Sequence, residues 1–149
     1  MRHTAHADFA LRVLLYLRVV PGRQAAVAEI AEAHAVSRHH LVKVVQRLAG
    51  AGIVATVRGR GGGVRLERDS SGITVGEVMR AMENDFAVVE CLGAARFCRV
   101  AGVCGGRDVF SRALDAYFAV LDDATLDDLA ANDLGLRGAL RLTPGPGGR

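Results

Sequence analysis

No uninterrupted apolar run in this chain of 149 residues approaches the length needed to span a bilayer. The N-terminal stretch has an Arg and an Ala-x-Ala at residues 26–28, but Asp8, Arg12 and Arg18 break it and leave only Val13–Leu17 continuous. Export is therefore not expected, and the expected location is the cytoplasm. Cysteine is scarce and odd in number, with three residues, which speaks against a disulfide framework. No two of them form a CxxC pair, which excludes thioredoxin-type exchange and disfavours a zinc ribbon or knuckle. Histidine is absent from residues 41–149. No GK[ST] closes the glycine run at residues 59–63, so a nucleotide-binding loop is a poor account of it. No paired acid and base and no nucleophile motif appears, so the chain is not expected to be an enzyme. Aromatics make up only 5%, but half of the residues are apolar, enough for the core of one domain with an appendage.

Charge is present in quantity and unevenly placed. Residues 1–68 carry ten arginines and Lys43 against four acids, a net of +7, while residues 69–149 carry eight arginines against twelve acids, a net of −4. A basic half joined to an acidic half suggests a polyanion-binding module beside a part with other duties.

Hydrophobic spacing predicts a mainly α chain with a small β-hairpin. Phe9, Val13, Tyr16, Leu17 and Val20 mark a helix over residues 4–20, stopped by Pro21-Gly22. A second helix is expected over 25–35 with Val27, Ile30 and Ala31 inward. A third follows Ser37 as N-cap, with Leu41, Val44, Val45 and Leu48 as one buried stripe. Residues 53–57 and 64–67 read as strands around the basic loop Arg58-Gly59-Arg60-Gly61-Gly62-Gly63. Thr74 and Glu77 form a capping box opening a helix to about Asn84. The longest helix, over 107–123, has apolar pairs Val109/Phe110, Ala113/Leu114, Tyr117/Phe118 and Val120/Leu121, a stripe wide enough for a second subunit. Thr125 and Asp128 cap one more short helix. The organisation expected is a winged helix-turn-helix domain over 1–84, a cysteine-bearing segment over 85–106, a dimerisation helix and short capping helix over 107–131, and a flexible tail over 132–149.

Opposite the third helix's buried stripe lie His39, Lys43 and Gln46, with His40 and Arg47 to the sides and Ser37 and Arg38 in the first turn. Such a face suits the major groove, and Arg58 and Arg60 on a glycine-rich wing suit a phosphate or a minor groove. Helix, turn, helix and basic hairpin in this order point to double-stranded DNA. The cysteines Cys91, Cys98 and Cys104 are spaced C-x6-C-x5-C in an aperiodic segment, which lets three thiolates converge on something larger than one ion, such as an iron–sulfur cluster. A fourth ligand would come from a nearby acid, an exogenous molecule, or His3, His6 or Asp8.

Several stretches together resemble the IscR/NsrR family of winged-helix iron–sulfur transcription regulators, in order over residues 1 to about 131. They are Ala7-Asp8-Phe9-Ala10-Leu11-Arg12, the helix Ser37-Arg38-His39-His40-Leu41-Val42-Lys43-Val44, and the wing Arg58 to Leu66. Val89-Glu90-Cys91 with Cys98 and Cys104, and Thr125-Leu126-Asp127-Asp128-Leu129, complete the set. The IscR type carries a histidine three residues after its last cysteine; here that position is Arg107, and the chain is more similar to the NsrR type of nitric-oxide-sensing repressor. The resemblance implies a homodimer on an inverted-repeat operator, controlled by a [4Fe-4S] cluster that reacts with nitric oxide. The ligands it implies are Cys91, Cys98, Cys104 and, from the partner subunit, Asp8. The residues themselves leave rivals: Asp8 and Arg12, at i and i+4, also read as a plain ion pair. A winged-helix regulator sensing iron–sulfur status or thiol oxidation, or one holding a structural zinc, uses the same cysteines, and an iron–sulfur carrier or redox enzyme is a third account.

Overall fold

The computed structural model describes residues 5–59, 61–93 and 98–142. His3, Arg60 and residues 143–149 lie outside the described residues. The helix α1 (Ala5–Val19) buries Ala7, Ala10, Val13, Leu14, Tyr16, Leu17 and Val19. These positions spread beyond one stripe because α1 is packed from several sides. It touches α3 (Arg38–Gly50), α4 (Val75–Met82), α6 (Leu126–Leu129), α7 (Asp133–Ala139) and the strand β2 (Gly63–Leu66). Small residues at Ala7 and Ala10 let neighbours approach closely, and Gly22, with φ +78°, turns the chain after Pro21.

The second helix, α2 (Val27–Ala33), is shorter than its sequence pattern. At its start, Ala25 exchanges two 2.9 Å backbone hydrogen bonds with Val64, so it extends the sheet instead of opening the helix. At its end, Ala35 adopts φ 51° and turns the chain into α3. In α3 the expected stripe of Leu41, Val44, Val45 and Leu48 is buried, and Ser37 occupies the N-cap position without a side-chain capping bond. The strands β1 (Val54–Val57) and β2 pair antiparallel from Val54↔Leu66 to Val57↔Gly63. A Cβ at Gly63 would stand 2.6 Å from the Ala25 carbonyl oxygen, so only glycine permits this seam between the wing and the segment before α2.

Thr74 caps α4 by accepting from the Glu77 N–H at 3.2 Å. The start of α4 is stitched to the end of α5 (Gly106–Asp123) through Val75 N–H to Ala124 O at 2.9 Å and Leu126 N–H to Ile73 O at 2.8 Å. Thr125 and Asp128 form the capping box of α6. Asp127 then accepts from the Arg18 guanidinium and, at 2.8 Å, from Ser70, returning α6 to α1. The apolar positions on α5 fall into two sets: Phe118 and Leu121 pack against the core, whereas Val109, Phe110 and Val120 are exposed.

The chain does not loosen at Asn132 as its Gly and Pro content suggests. Asn132 caps α7 by accepting from the Gly135 N–H at 3.0 Å. Leu140 is buried in the core, with Leu136 and Leu142 packed beside it. Leu140, buried just past the helix, with Leu136 and Leu142 partly buried beside it, outweighs two helix glycines, because full burial of a leucine supplies about 1.5–3 kcal/mol while a glycine costs about 1.

The turn before α3 is pinned by His34, whose Nε2–H donates to the Arg12 carbonyl at 2.9 Å. Burial, which disfavours the charged ring, holds its pKa below the ordinary histidine value. An unfolded chain therefore binds this proton at a higher pH than the folded one. The contribution to stability is intact above the unfolded pKa, about 6.5, and is lost as pH falls through the folded value. Urea denaturation between pH 8 and 5 should show a loss of stability on acidification that is smaller in His34→Gln; equal slopes would exclude His34 as its source.

Candidate nucleic-acid interface and cysteine segment

On α3 the side chains of Arg38, His39, His40, Lys43 and Gln46 are exposed, as is Ser37 before it. Because the Ser37 hydroxyl is not spent on a cap, it is available to a ligand. His40 is not free-standing: its ring stacks on Phe9 of α1, with centroids 6.0 Å apart and planes 20° apart. The Arg12 guanidinium lies over the other aromatic partner, Phe9, at 5.9 Å. Arg47, lateral on the same helix, instead donates to Asn84 Oδ1 at 3.3 Å and ties α3 to the end of α4. Arg58 is exposed on the wing, beside Gly59 and Gly61 at φ +100° and +77°. The Gly62 N–H donates to the Gly59 carbonyl at 3.0 Å, closing the tip. This placement leaves α3's cationic face, its first turn and Arg58 open to a polyanion.

Support for this face was not visible in hydrophobic spacing. Beneath it, the buried Tyr16 donates its hydroxyl to Glu29, which also receives Arg23, joining α1 to α2. Burial and the Glu29 carboxylate push the Tyr16 pKa up to about 12, so the hydroxyl stays a donor at any working pH.

The three cysteines are free thiols. Cys91, half-buried, lies in a 3-10 turn (Glu90–Leu92) that rests against α5. Cys98 is half-buried, and Cys104 is exposed just before α5, its sulfur accepting from the Gly106 N–H at 3.3 Å. The entry to this segment is anchored by Phe86, edge-on to Phe118 at 4.7 Å, while the Arg80 guanidinium lies over Phe118 at 4.1 Å. Asp8 makes an i, i+4 ion pair with Arg12 at 2.9 Å. Among the described residues, no three His, Cys, Asp or Glu side chains gather closely enough to hold a metal ion. The donor set suits an iron–sulfur cluster chemically, since all three are soft sulfur donors not paired in a disulfide, two half-buried and one exposed. Among the described residues, the three thiols and Asp8 do not gather into one such group.

A helix-turn-helix with a basic hairpin, followed by a long helix with an unpartnered apolar side, defines a winged helix-turn-helix DNA-binding protein. Among the described residues, no helix is long and apolar enough to cross a membrane. The chain belongs to the Rrf2 family of iron-dependent transcriptional regulators, whose sequence profile matches residues 3–132. It is 46% identical over 134 residues to the HTH-type transcriptional regulator NsrR of Bacillus subtilis, covering 89% of this chain and 92% of that one. The NsrR of Bacillus licheniformis is 40% identical over 134 residues, with 89% and 94% covered. Among solved structures, CymR, the global cysteine regulator of B. subtilis, superposes with a TM-score of 0.72 at 28% identity, covering 89% of this chain and 98% of that one. The chain is thus a transcriptional regulator similar to NsrR, and its family is one of regulators rather than enzymes.

Lys43→Ala and Arg58→Ala should each weaken DNA binding without altering the fold. If each contacts only phosphate, affinity for all duplexes should fall together, and the slope of log K against log salt should drop by about one. Fluorescence anisotropy across a salt series measures this; unchanged affinity in both variants would place the DNA elsewhere.

Proposed function

We propose that the chain is a cytoplasmic, homodimeric repressor whose hold on an inverted-repeat operator depends on an iron–sulfur cluster that nitric oxide attacks. The observation that carries this reading is the presence of three free cysteines in the one segment that joins the DNA-binding elements to α5. Two further observations support it: the exposed cationic face of α3, and the likeness to regulators named NsrR. Exposed Val109, Phe110 and Val120 on α5 form the seam for a second subunit. Two α3 helices related by a two-fold axis would read two half-sites of opposite sense.

Cys91, Cys98 and Cys104 would supply the three thiolates, and Asp8 of the partner subunit the fourth, oxygen, ligand. Bound there, a cluster of the [4Fe-4S] type supplies an iron open to a small molecule at its one hard ligand. To serve, Asp8 must leave Arg12. The cost is small, because both side chains are well exposed and such a pair contributes at most about 1 kcal/mol. Phe9 and Arg12 then connect this change to His40 in the first turn of α3.

The Asp8–Arg12 ion pair itself favours a second reading, in which Asp8 is only a surface partner and another group completes the site. Iron content and lifetime separate the two. Cys91→Ala, Cys98→Ala and Cys104→Ala should each fail to retain iron after anaerobic purification, and DNA binding should weaken with it. Asp8→Ala should assemble iron but lose it faster, whereas Arg12→Ala should not. Equal lifetimes in Asp8→Ala, Arg12→Ala and the unaltered protein would remove Asp8 from the ligand set.

A further inference from the structure

A cleft of about 520 Å³ lies between the end of α2 and the end of α7, apart from the α3 face, the wing and the cysteines. Its size falls within the range of small-molecule sites. Tyr16, Glu32, His34 and Ala35 line one side, and Leu140 and Arg141 the other. The second wall belongs to a helix beyond the stretch matched by the family profile, so the cleft is built from more than the shared elements.

Both walls end in the same backbone device. After α2, the Ala35 N–H donates to Glu32 O at 3.1 Å and the Val36 N–H to Ala31 O at 2.9 Å. After α7, the Arg141 N–H donates to Gly138 O at 3.1 Å and the Leu142 N–H to Arg137 O at 2.9 Å. Each is a Schellman ending, whose left-handed residue is ordinarily glycine. Here Ala35 and Arg141 stand there at φ 51° and 53°, and among the described residues they are the two non-glycine positions with positive φ. Strain of this kind collects where side chains are held for a ligand.

The charges of the cleft are also unspent. Glu29 is taken by Tyr16 and Arg23. Among the described residues, the side chains of Glu32 and Arg141, both exposed, have neither an ion-pair nor a hydrogen-bond partner and do not pair with each other. Ala33, Ala139, Leu140 and Leu142 also line the cleft. A ligand with one charge would satisfy one of the two groups, and an apolar one neither; a dipolar molecule satisfies both through charge-assisted hydrogen bonds.

We propose that this cleft binds a small zwitterion with an apolar body, an α-amino acid or dipeptide of the leucine type, its ammonium at Glu32 and its carboxylate at Arg141. Such a ligand bridges the end of α2 to α7 and steadies the turn that leads into α3. The proposal stands independently of any cluster at the cysteines.

The test uses the full chain with L-leucine and leucyl-leucine as probes, and with isovalerate and isoamylamine as analogues that each carry one charge. At millimolar concentration, at least one zwitterion should raise the melting temperature saturably, and neither analogue should match it. Glu32→Gln and Arg141→Gln should each weaken zwitterion binding by about tenfold or more, as expected for loss of a charged hydrogen bond, with the ligand-free melting temperature unchanged. Calorimetric titration supplies the affinities. The proposal is overturned if neither zwitterion shifts the unaltered protein, if the one-charge analogues act equally well, or if both variants bind as tightly as the unaltered chain.

Discussion

The structure depends on α1 being buried from several sides at once. A helix with one apolar stripe can satisfy one neighbour; α1 buries Ala7 and Ala10 as well as Val13, Leu14, Tyr16 and Leu17, and so serves α3, α4, α6, α7 and the wing together. The polar contacts around it follow from that crowding. Arg18 binds Asp127 of α6, Tyr16 binds Glu29 of α2, and the Arg12 carbonyl receives His34. Displacing α1 along its axis would disturb each of these contacts together, including those of its first turns, where Ala7 and Ala10 are buried and Asp8 is exposed.

Those first turns hold Asp8, Phe9 and Arg12 in a row of contacts that ends on α3. Asp8 pairs with Arg12, Arg12 covers Phe9, and Phe9 stacks on His40. The exposed cationic face of α3 and the acid proposed as iron ligand are therefore joined by one side-chain network, although the cysteines lie far along the sequence. The long helix α5 is fastened at its C-terminal end by Arg80 with Asp122 and by the Thr74–Thr125 bridge. Its apolar side chains Val109, Phe110 and Val120 remain exposed.

The α3 stripe, the wing strands and the capping box of α6 were legible because each rests on spacing or local chemistry within a few residues. The true start of α2 was not, because Ala25 is diverted by a backbone pairing with Val64, almost forty positions away. The helix α7 was hidden by the glycines at 135 and 138, since its stability comes from Leu140 entering the α1 core rather than from propensity. Ser37 was read as an N-cap from its residue type; the structure keeps the position but leaves its hydroxyl unused. The cysteines were visible as a set, but the role proposed for Asp8 could not be read, because its carboxylate satisfies an ion pair as readily as it would satisfy iron.

Control of the α3 face by the cysteine segment is the proposal on which the regulatory function rests. The direct measurement is the visible absorption, iron content and DNA affinity of one anaerobic sample, before and after nitric oxide, using duplexes enriched from random sequence by the untreated protein. The account predicts a coloured, iron-bearing protein, an inverted repeat in the selected DNA, and a fall in affinity that tracks the change in absorption. A colourless, iron-free protein that binds the same DNA equally well with and without nitric oxide would contradict it.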